Sequence, residues 1–256
     1  MPEVLASTTS HKREALGPTL EAFARLGLVD LDLNLHHFIE RGENPAAMAL
    51  VTRAAGQRVP VVSGGWCDFF HTAPRIEETF RSVARQVEIA QTLGATTLRL
   101  FFGRLDADAW SADALATAAD NIARLADRYS DVSFVFENHD GASLEPRVCR
   151  DILARVDRPT IRMNFDPINF ARVNVDPSAA LAIVEPWIGH VHLKGLEAGE
   201  FCEFGVGDVD LTPVLRRLLE GGYAGRFSVE YEGPHDGTLR LYQSVLRARD
   251  TLQKLK

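Results

Sequence analysis

Four β-type runs in the C-terminal half of the chain each end in ionisable side chains. They read Phe134-Val135-Phe136-Glu137-Asn138-His139, Met163-Asn164-Phe165-Asp166-Pro167, His190-Val191-His192-Leu193-Lys194 and Ser228-Val229-Glu230-Tyr231-Glu232-Gly233. Buried strand positions rarely hold Glu, Asp, Lys or His without a partner. Their recurrence at the same end of successive runs therefore asks for a chemical reason. Carboxylates and an imidazole drawn together raise one another's proton affinity or repel unless a cation compensates. A divalent ion is the natural counter-charge. Oxygen-rich ligation with one nitrogen suits Mn²⁺ first, then Mg²⁺ or Co²⁺, with Zn²⁺ compatible. Glu137, Asp166, His192 and Glu230 are the candidate ligands of one such ion. Asp166 precedes Pro167, which biases it to extended backbone and holds its carboxylate at the strand tip.

Such convergence needs a scaffold that brings the ends of separate strands to one place. Strand-like runs fall at 4–8, 29–35, 59–63, 96–102, 132–138, 160–166, 190–194 and 226–232. Helical segments are expected at 11–28, 45–55, 74–94, 111–129, 144–157, 177–185, 212–222 and 238–254. The clearest carries Ile76, Phe80, Val83, Val87 and Ala90 at three- and four-residue steps, with Glu77 and Glu78 in its first turn and Gly94 after its last. Asp176-Pro177 and Thr212-Pro213 read as N-caps followed by Pro at the first helical position. Regular alternation of strands and helices predicts a parallel sheet with helices outside. The count and the length of 256 residues favour closure into an α/β, single-domain (β/α)8 TIM barrel over 1–256 rather than an open doubly wound sheet. No GxGxxG follows the first strand, which weakens the dinucleotide-binding version of the open sheet. In such a barrel the C-terminal strand ends line the active-site mouth.

Composition narrows the partners. The chain is 46% hydrophobic and 25% charged, an ordinary globular balance. It carries 28 basic against 35 acidic residues, net −7, without the basic footprint that a phosphate backbone requires. Nucleic acid is not an expected partner. Cys67, Cys149 and Cys202 are too few and scattered for a disulfide framework. No apolar stretch approaches the roughly 20 residues that span a bilayer, so no membrane association is expected. With no signal-peptide pattern at the N-terminus, a cytoplasmic protein is the expectation. A homo-oligomer is compatible with the sequence. GVGDVD (205–210) lacks the GK[ST] ending of a phosphate loop and is expected to position the loop after the seventh strand.

Further site candidates lie near the strand ends. His139 follows Glu137 by two residues and is a candidate base or hydroxyl ligand. Lys194 follows His192 by two and is a candidate proton donor or enolate stabiliser, with His190 one step deeper as a hydrogen-bonding core residue. Glu232 is a candidate partner of the site. Asp32, Asn34 and His36 alternate toward one face of the second strand, so His36 is a candidate substrate contact. Among Trp66, Phe69, Phe70, Phe101 and Phe102, Trp66 in SGGWCDFF is the favoured pocket residue, and Phe101 the favoured core residue.

The text TLGATTLRLF (92–101), FENHDG (136–141), FDPINF (165–170), GHVHLKG (189–195), GVGDVDLTPVL (205–215) and GYAGRFSVEYEG (222–233) resembles the xylose isomerase-like TIM-barrel superfamily of sugar isomerases and epimerases, which includes endonuclease IV. The resemblance covers nearly the whole chain. It implies that Glu137, Asp166, His192 and Glu230 are metal ligands, and that Glu137 and Glu230 double as the acid–base pair. It also marks departures. Asn169 stands where ketose 3-epimerases place a substrate-binding His, which makes it a candidate substrate contact. Ala198 stands where they place an Arg, and Gly195 where many relatives have Asp. Asn169 also removes a ligand that a nuclease zinc cluster needs. The expected function is a divalent-metal-dependent isomerase or epimerase of a small carbohydrate or keto-polyol, acting by proton abstraction next to a metal-bound carbonyl. The alternative is a metal-dependent lyase or dehydratase that begins with the same step and ends in β-elimination. A non-catalytic sugar-binding barrel is the reading of a different class, opposed by the intact set of ligand residues.

Overall fold

The computed structural model describes residues 2–234 and 237–256. The strands are β1 (Glu3–Ser7), β2 (Asp30–Asn34), β3 (Arg58–Ser63), β4 (Thr97–Phe101), β5 (Ser133–Glu137), β6 (Ile161–Phe165), β7 (Ile188–Leu193), β8 (Gly195–Glu197), β9 (Glu200–Cys202) and β10 (Arg226–Val229). The helices are α1 (Leu16–Arg25), α2 (His36–Ile39), α3 (Pro45–Ala54), α4 (Arg75–Leu93), α5 (Ala112–Arg128), α6 (Pro146–Val156), α7 (Pro167–Ala171), α8 (Pro177–Val184), α9 (Thr212–Glu220) and α10 (Gly237–Lys254). Eight strands close in the order β1-β10-β7-β6-β5-β4-β3-β2, all neighbours parallel. This is the (β/α)8 barrel that the alternation predicts. Strand-like runs and barrel strands correspond one to one.

Amphipathic helices wrap the barrel for the reason their spacing implies. In α4 the positions Ile76, Phe80, Val83, Val87 and Ala90 are all buried. Gly94 ends that helix in the left-handed region at φ 82°, a conformation that costs glycine little. Asp176 caps α8 through its carboxylate, which accepts from the Ala179 N–H at 2.7 Å.

Several boundaries move. The segment expected to be helical from 11 begins with a 3-10 turn at Thr8–His11, and α1 proper starts at Leu16. Thr212 is the first helical residue of α9 rather than its cap; the Asp210 carboxylate accepts from the Thr212 N–H at 2.9 Å and does the capping. The sixth run stops at Phe165 because Asp166 turns its carboxylate onto the N–H groups of Ile168 and Asn169, opening α7. The eighth run stops at Val229, although the Glu230 N–H still donates to Leu193 O at 2.9 Å. Two short helices, α2 and α7, and the antiparallel hairpin β8–β9 are absent from the sequence reading. Elements of three to five residues carry no measurable period. The GVGDVD loop follows that hairpin and is pinned to it by a bridge between Leu196 and Gly207. No described helix is long and apolar enough to cross a membrane. The three cysteines are free.

Candidate active site

The ends of β5, β6, β7 and β10 bring Glu137, Asp166, His192 and Glu230 together. One ligand atom from each lies within 4.8 Å of all the others, and all four residues are buried. His192 Nδ1 is 3.4 Å from Glu137 Oε1 and 3.5 Å from Glu230 Oε2. That nitrogen is buried without a hydrogen-bond partner. Asp166 is anchored by its backbone as well: Asn138 accepts from the Asp166 N–H and donates to its carbonyl, at 2.9 and 2.8 Å.

Lys194 is the nearest cation. Its ammonium lies 3.0 Å from Asp166 Oδ2, 3.0 Å from Glu230 Oε2 and 2.8 Å from Glu232 Oε2. On the opposite side Arg99, from the middle of β4, places its Nε 3.1 Å from Glu137 Oε2. Burial pushes the Glu137 carboxyl up, but Arg99 and His192 outweigh it and bring it to about 2. Glu230 is likewise held well below its usual range, against its burial, by Lys194 and His192. Burial dominates at Asp166 and raises it. His192 is held well above its usual range despite burial, because Glu137 and Glu230 flank it. Lys194 is raised, against burial, by Asp166, Glu232 and Glu230.

These directions describe a site with too little positive charge. Among the described residues, the carboxylates of Asp32, Glu137, Asp166, Glu230 and Glu232 face three permanent cations, Arg99, Lys194 and, at 3.9 Å from Glu232, Lys12. The excess is what draws a proton to His192. A divalent cation held by Glu137, Asp166, Glu230 and His192 Nδ1 would supply the missing charge and take that proton's place. The donor set and the unpartnered Nδ1 both fit it.

Above this cluster opens a cavity of about 340 Å³. Glu137 and Glu230 form its floor, while Asp166, His192 and Lys194 lie behind them, outside its lining. The remaining wall includes Thr9, Asn34, His36, Ile39, Trp66, Arg99, Phe101, His139 and Glu232. Trp66, 40% exposed, stacks on Phe101 at 4.5 Å between ring centres. The His139 ring meets both edge-on, at 5.4 and 4.7 Å. Its Nδ1 is 3.1 Å from Asp140 Oδ2.

The sequence-derived candidates divide accordingly. Trp66, His36, His139 and Glu232 line the cavity. Phe101, expected in the core, is buried and also forms cavity wall. Asn169 does not line it: its amide donates to Glu137 Oε1 at 3.2 Å and to the Asn138 carbonyl at 3.0 Å, so it braces Glu137 from outside the cavity lining. Lys194 touches Glu230 and Glu232 rather than the cavity, which makes it a positioning group. His190 donates to or accepts from Ser228 Oγ at 2.8 Å inside the barrel. Asp32 and Asn34 do share a face, but His36 belongs to α2.

A family model described as xylose isomerase-like TIM barrel matches residues 37–256. The chain belongs to the xylose isomerase-like TIM-barrel family. Among curated proteins, the C-glycoside deglycosidase alpha subunit of Arthrobacter globiformis is 28% identical over 103 residues, 40% of this chain. The match spans 28% of that relative's length. Among solved structures, the D-allulose 3-epimerase of Methylomonas sp. superposes with TM-score 0.82 at 16% identity, covering 98% of each chain. The IolI protein with a bound zinc atom gives 0.81 at 17%, covering 100% of this chain and 98% of that one. The probable 3-DHS dehydratase AsbF of Bacillus anthracis gives 0.79 at 15%, covering 97% and 99%. At such identities the likeness speaks to fold, since one barrel supports many chemistries.

Within this xylose isomerase-like barrel, Arg99 and Thr9 contact the candidate ligands Glu137 and Glu230 without being expected from sequence, and Lys12, Ile39, Glu40, Ser82 and Gln86 likewise line the cavity. Thr9 Oγ1 donates to Glu230 Oε1 at 3.0 Å. Arg99 carries the same signal as the four candidate ligands, a charge inside an apolar strand (Leu98-Arg99-Leu100), but in mid-strand rather than at its end. Thr9 carried no signal, because hydroxyls are common in loops.

Proposed function

We propose that this chain is a divalent-metal-dependent isomerase or epimerase of a sugar or keto-polyol, acting by removal of a proton from a carbon next to a carbonyl. One observation carries the reading. Glu137 and Glu230, from strands three places apart around the barrel, both border the cavity and both flank His192 Nδ1. Two carboxylates on different sides of one bound molecule are what removal and return of a proton require. Glu137, Asp166, His192 and Glu230 would hold the divalent cation, which when bound would supply Lewis-acid polarisation of the carbonyl and a counter-charge. Mn²⁺ is the favoured ion for this donor set.

The chain's own groups divide the remaining work. Arg99 holds Glu137 and Lys194 holds Glu230, so each carboxylate is fixed in direction before substrate arrives. Thr9, Asn34 and His36 offer hydroxyl, amide and imidazole to a polyol, and Ile39, Trp66 and Phe101 offer an apolar wall to its C–H face.

A second reading, β-elimination from the same enolate, is supported by His139. This imidazole borders the cavity beside Glu137, and His is the side chain most often used as a general acid or base. Its protonated form would deliver a proton to a departing group. The partial match to a deglycosidase leans the same way.

Incubation with free ketoses and keto-glycosides in heavy water with Mn²⁺ tests both. Deuterium is expected at the carbon next to the carbonyl. An isomer of equal mass supports isomerisation, and loss of water or an aglycone supports elimination. Turnover with full retention of the α-hydrogen would overturn both in favour of hydride transfer.

A further inference from the structure

Beneath the candidate metal centre lies a second buried group that the proposed reaction does not use. Asp32 sits inside β2 with no exposed surface. Its Oδ1 accepts from Ser63 Oγ at 2.8 Å. Its Oδ2 has no hydrogen-bond partner and lies 3.5 Å from His192 Nε2. His190 Nε2 is farther, at 4.0 Å, and is taken by Ser228. His192 thus stands between two sets of carboxylates, Nδ1 toward Glu137 and Glu230 and Nε2 toward Asp32 alone.

A neutral imidazole carries one proton on one of its two nitrogens. With the proton on Nδ1, the ring presents N–H to Glu137 and Glu230 and offers a cation nothing. With the proton on Nε2, the Nδ1 lone pair points at the ligand carboxylates. Only the second arrangement can bind a metal among Glu137, Asp166 and Glu230. With no cation present, the carboxylates on both sides hold a proton on each nitrogen, and a cation entering beside Glu137 and Glu230 would displace the one on Nδ1. The remaining proton must then stay on Nε2, and Asp32 Oδ2 is the acceptor in position to hold it.

We infer that Asp32 is a positioning residue that holds the His192 proton on Nε2 and thereby presents Nδ1 as a metal ligand. The inference rests on the metal-dependent reading above. Metal-bound histidines commonly donate their other N–H to a carboxylate, and losing that partner typically costs 10–100-fold in metal affinity. Asp32→Asn tests it well because the shape is kept. A carboxamide can turn its NH₂ toward Nε2, which makes Nε2 the acceptor and moves the proton to Nδ1. The same exchange in a Ser-His-Asp triad fixes the wrong tautomer.

The experiment titrates Mn²⁺ and Zn²⁺ into the full chain, Asp32→Asn and Ser63→Ala by competition with a chromophoric chelator. Ser63→Ala disturbs the same buried layer but leaves the carboxylate facing His192. The expected result is a loss of about 10–100-fold for Asp32→Asn and little change for Ser63→Ala. Imidazole ¹⁵N NMR of the Zn²⁺-loaded, unsubstituted protein should show the His192 proton on Nε2. This measurement decides the matter if Asp32→Asn fails to fold. Equal affinity in Asp32→Asn, equal loss in both variants, or the proton on Nδ1 would overturn the inference while the metal reading stands. Absence of binding by the unsubstituted chain would overturn both.

Discussion

Arg99 and Glu137 form an ion pair in the interior of the barrel, Nε to Oε2 at 3.1 Å, with neither side chain more than 4% exposed. Both residues border the cavity and Glu137 belongs to the candidate ligand cluster, so the pair joins fold stability to the site. Removing one partner of a buried pair leaves the other charge stranded, at a cost of about 3–5 kcal/mol. Arg99→Met is therefore expected to lower the urea midpoint strongly. Arg99→Lys should recover only part, because an ammonium lacks the planar fork that also reaches the Gly64 carbonyl. A midpoint for Arg99→Met equal to that of the parent would sink the assignment of this pair as structural.

Lys194 makes a complementary prediction. It neutralises Asp166, Glu230 and Glu232 at once. Lys194→Met should destabilise the chain on the same scale of about 3–5 kcal/mol. Added Mn²⁺ should then raise Tm more in the variant than in the parent, since the ion meets a larger deficit of positive charge and binding stabilises in proportion to affinity. Equal Mn²⁺-induced shifts would show that Lys194 and the ion do not compensate the same carboxylates.

Gly195 should tolerate no side chain. A Cβ there would collide with the Glu203 carbonyl and stand 2.7 Å from Val206 O and 2.8 Å from Cys202 Sγ. The tight approach is made by the hairpin β8–β9, which carries Phe201 over the Lys194 ammonium at 4.5 Å. Gly195→Asp should melt several degrees lower, on the scale of about 1–3 kcal/mol for overpacking. A melting temperature unchanged by Gly195→Ala would contradict this packing.

His37 predicts a pH dependence that is independent of the site. Burial is the main cause that lowers its imidazole to about 4 from 6.5. The unfolded chain therefore binds this proton more readily than the folded one. Its contribution to stability is fully present above about pH 6.5 and declines as pH falls toward 4. His37→Phe should flatten that part of the stability–pH curve. Urea midpoints measured from pH 7 to pH 4 check it; identical slopes in both proteins would count against it.

The barrel and the convergence of the four candidate ligand residues were legible in the sequence because both leave periodic or repeated marks. Strand runs are apolar on both faces when a sheet is buried on both sides, so Glu137, Asp166, His192 and Glu230 stood out as charges in hydrophobic text. Their order along the chain, with the count of alternating elements, was enough to place them at one mouth. Trp66, His36, His139 and Glu232 were found for a similar reason, as polar or aromatic residues just beyond strand ends.

What the linear order could not decide is which way each side chain turns and what it meets. Asn169 reads as a contact with substrate and is instead spent on Glu137 and a backbone carbonyl. Lys194 reads as a proton donor and is instead clasped by Asp166, Glu230 and Glu232. Arg99, Thr9 and Asp32 reach the site from β4, the turn after β1, and β2. Their roles come from the folding of the barrel, which brings Arg99 to Glu137 from the neighbouring strand and, by closure, sets Thr9 against Glu230 and Asp32 against His192 at 3.0 and 3.5 Å. A one-dimensional pattern records burial and period, because those act on neighbours. It does not record long-range pairing of charges, which exists only once the sheet has closed.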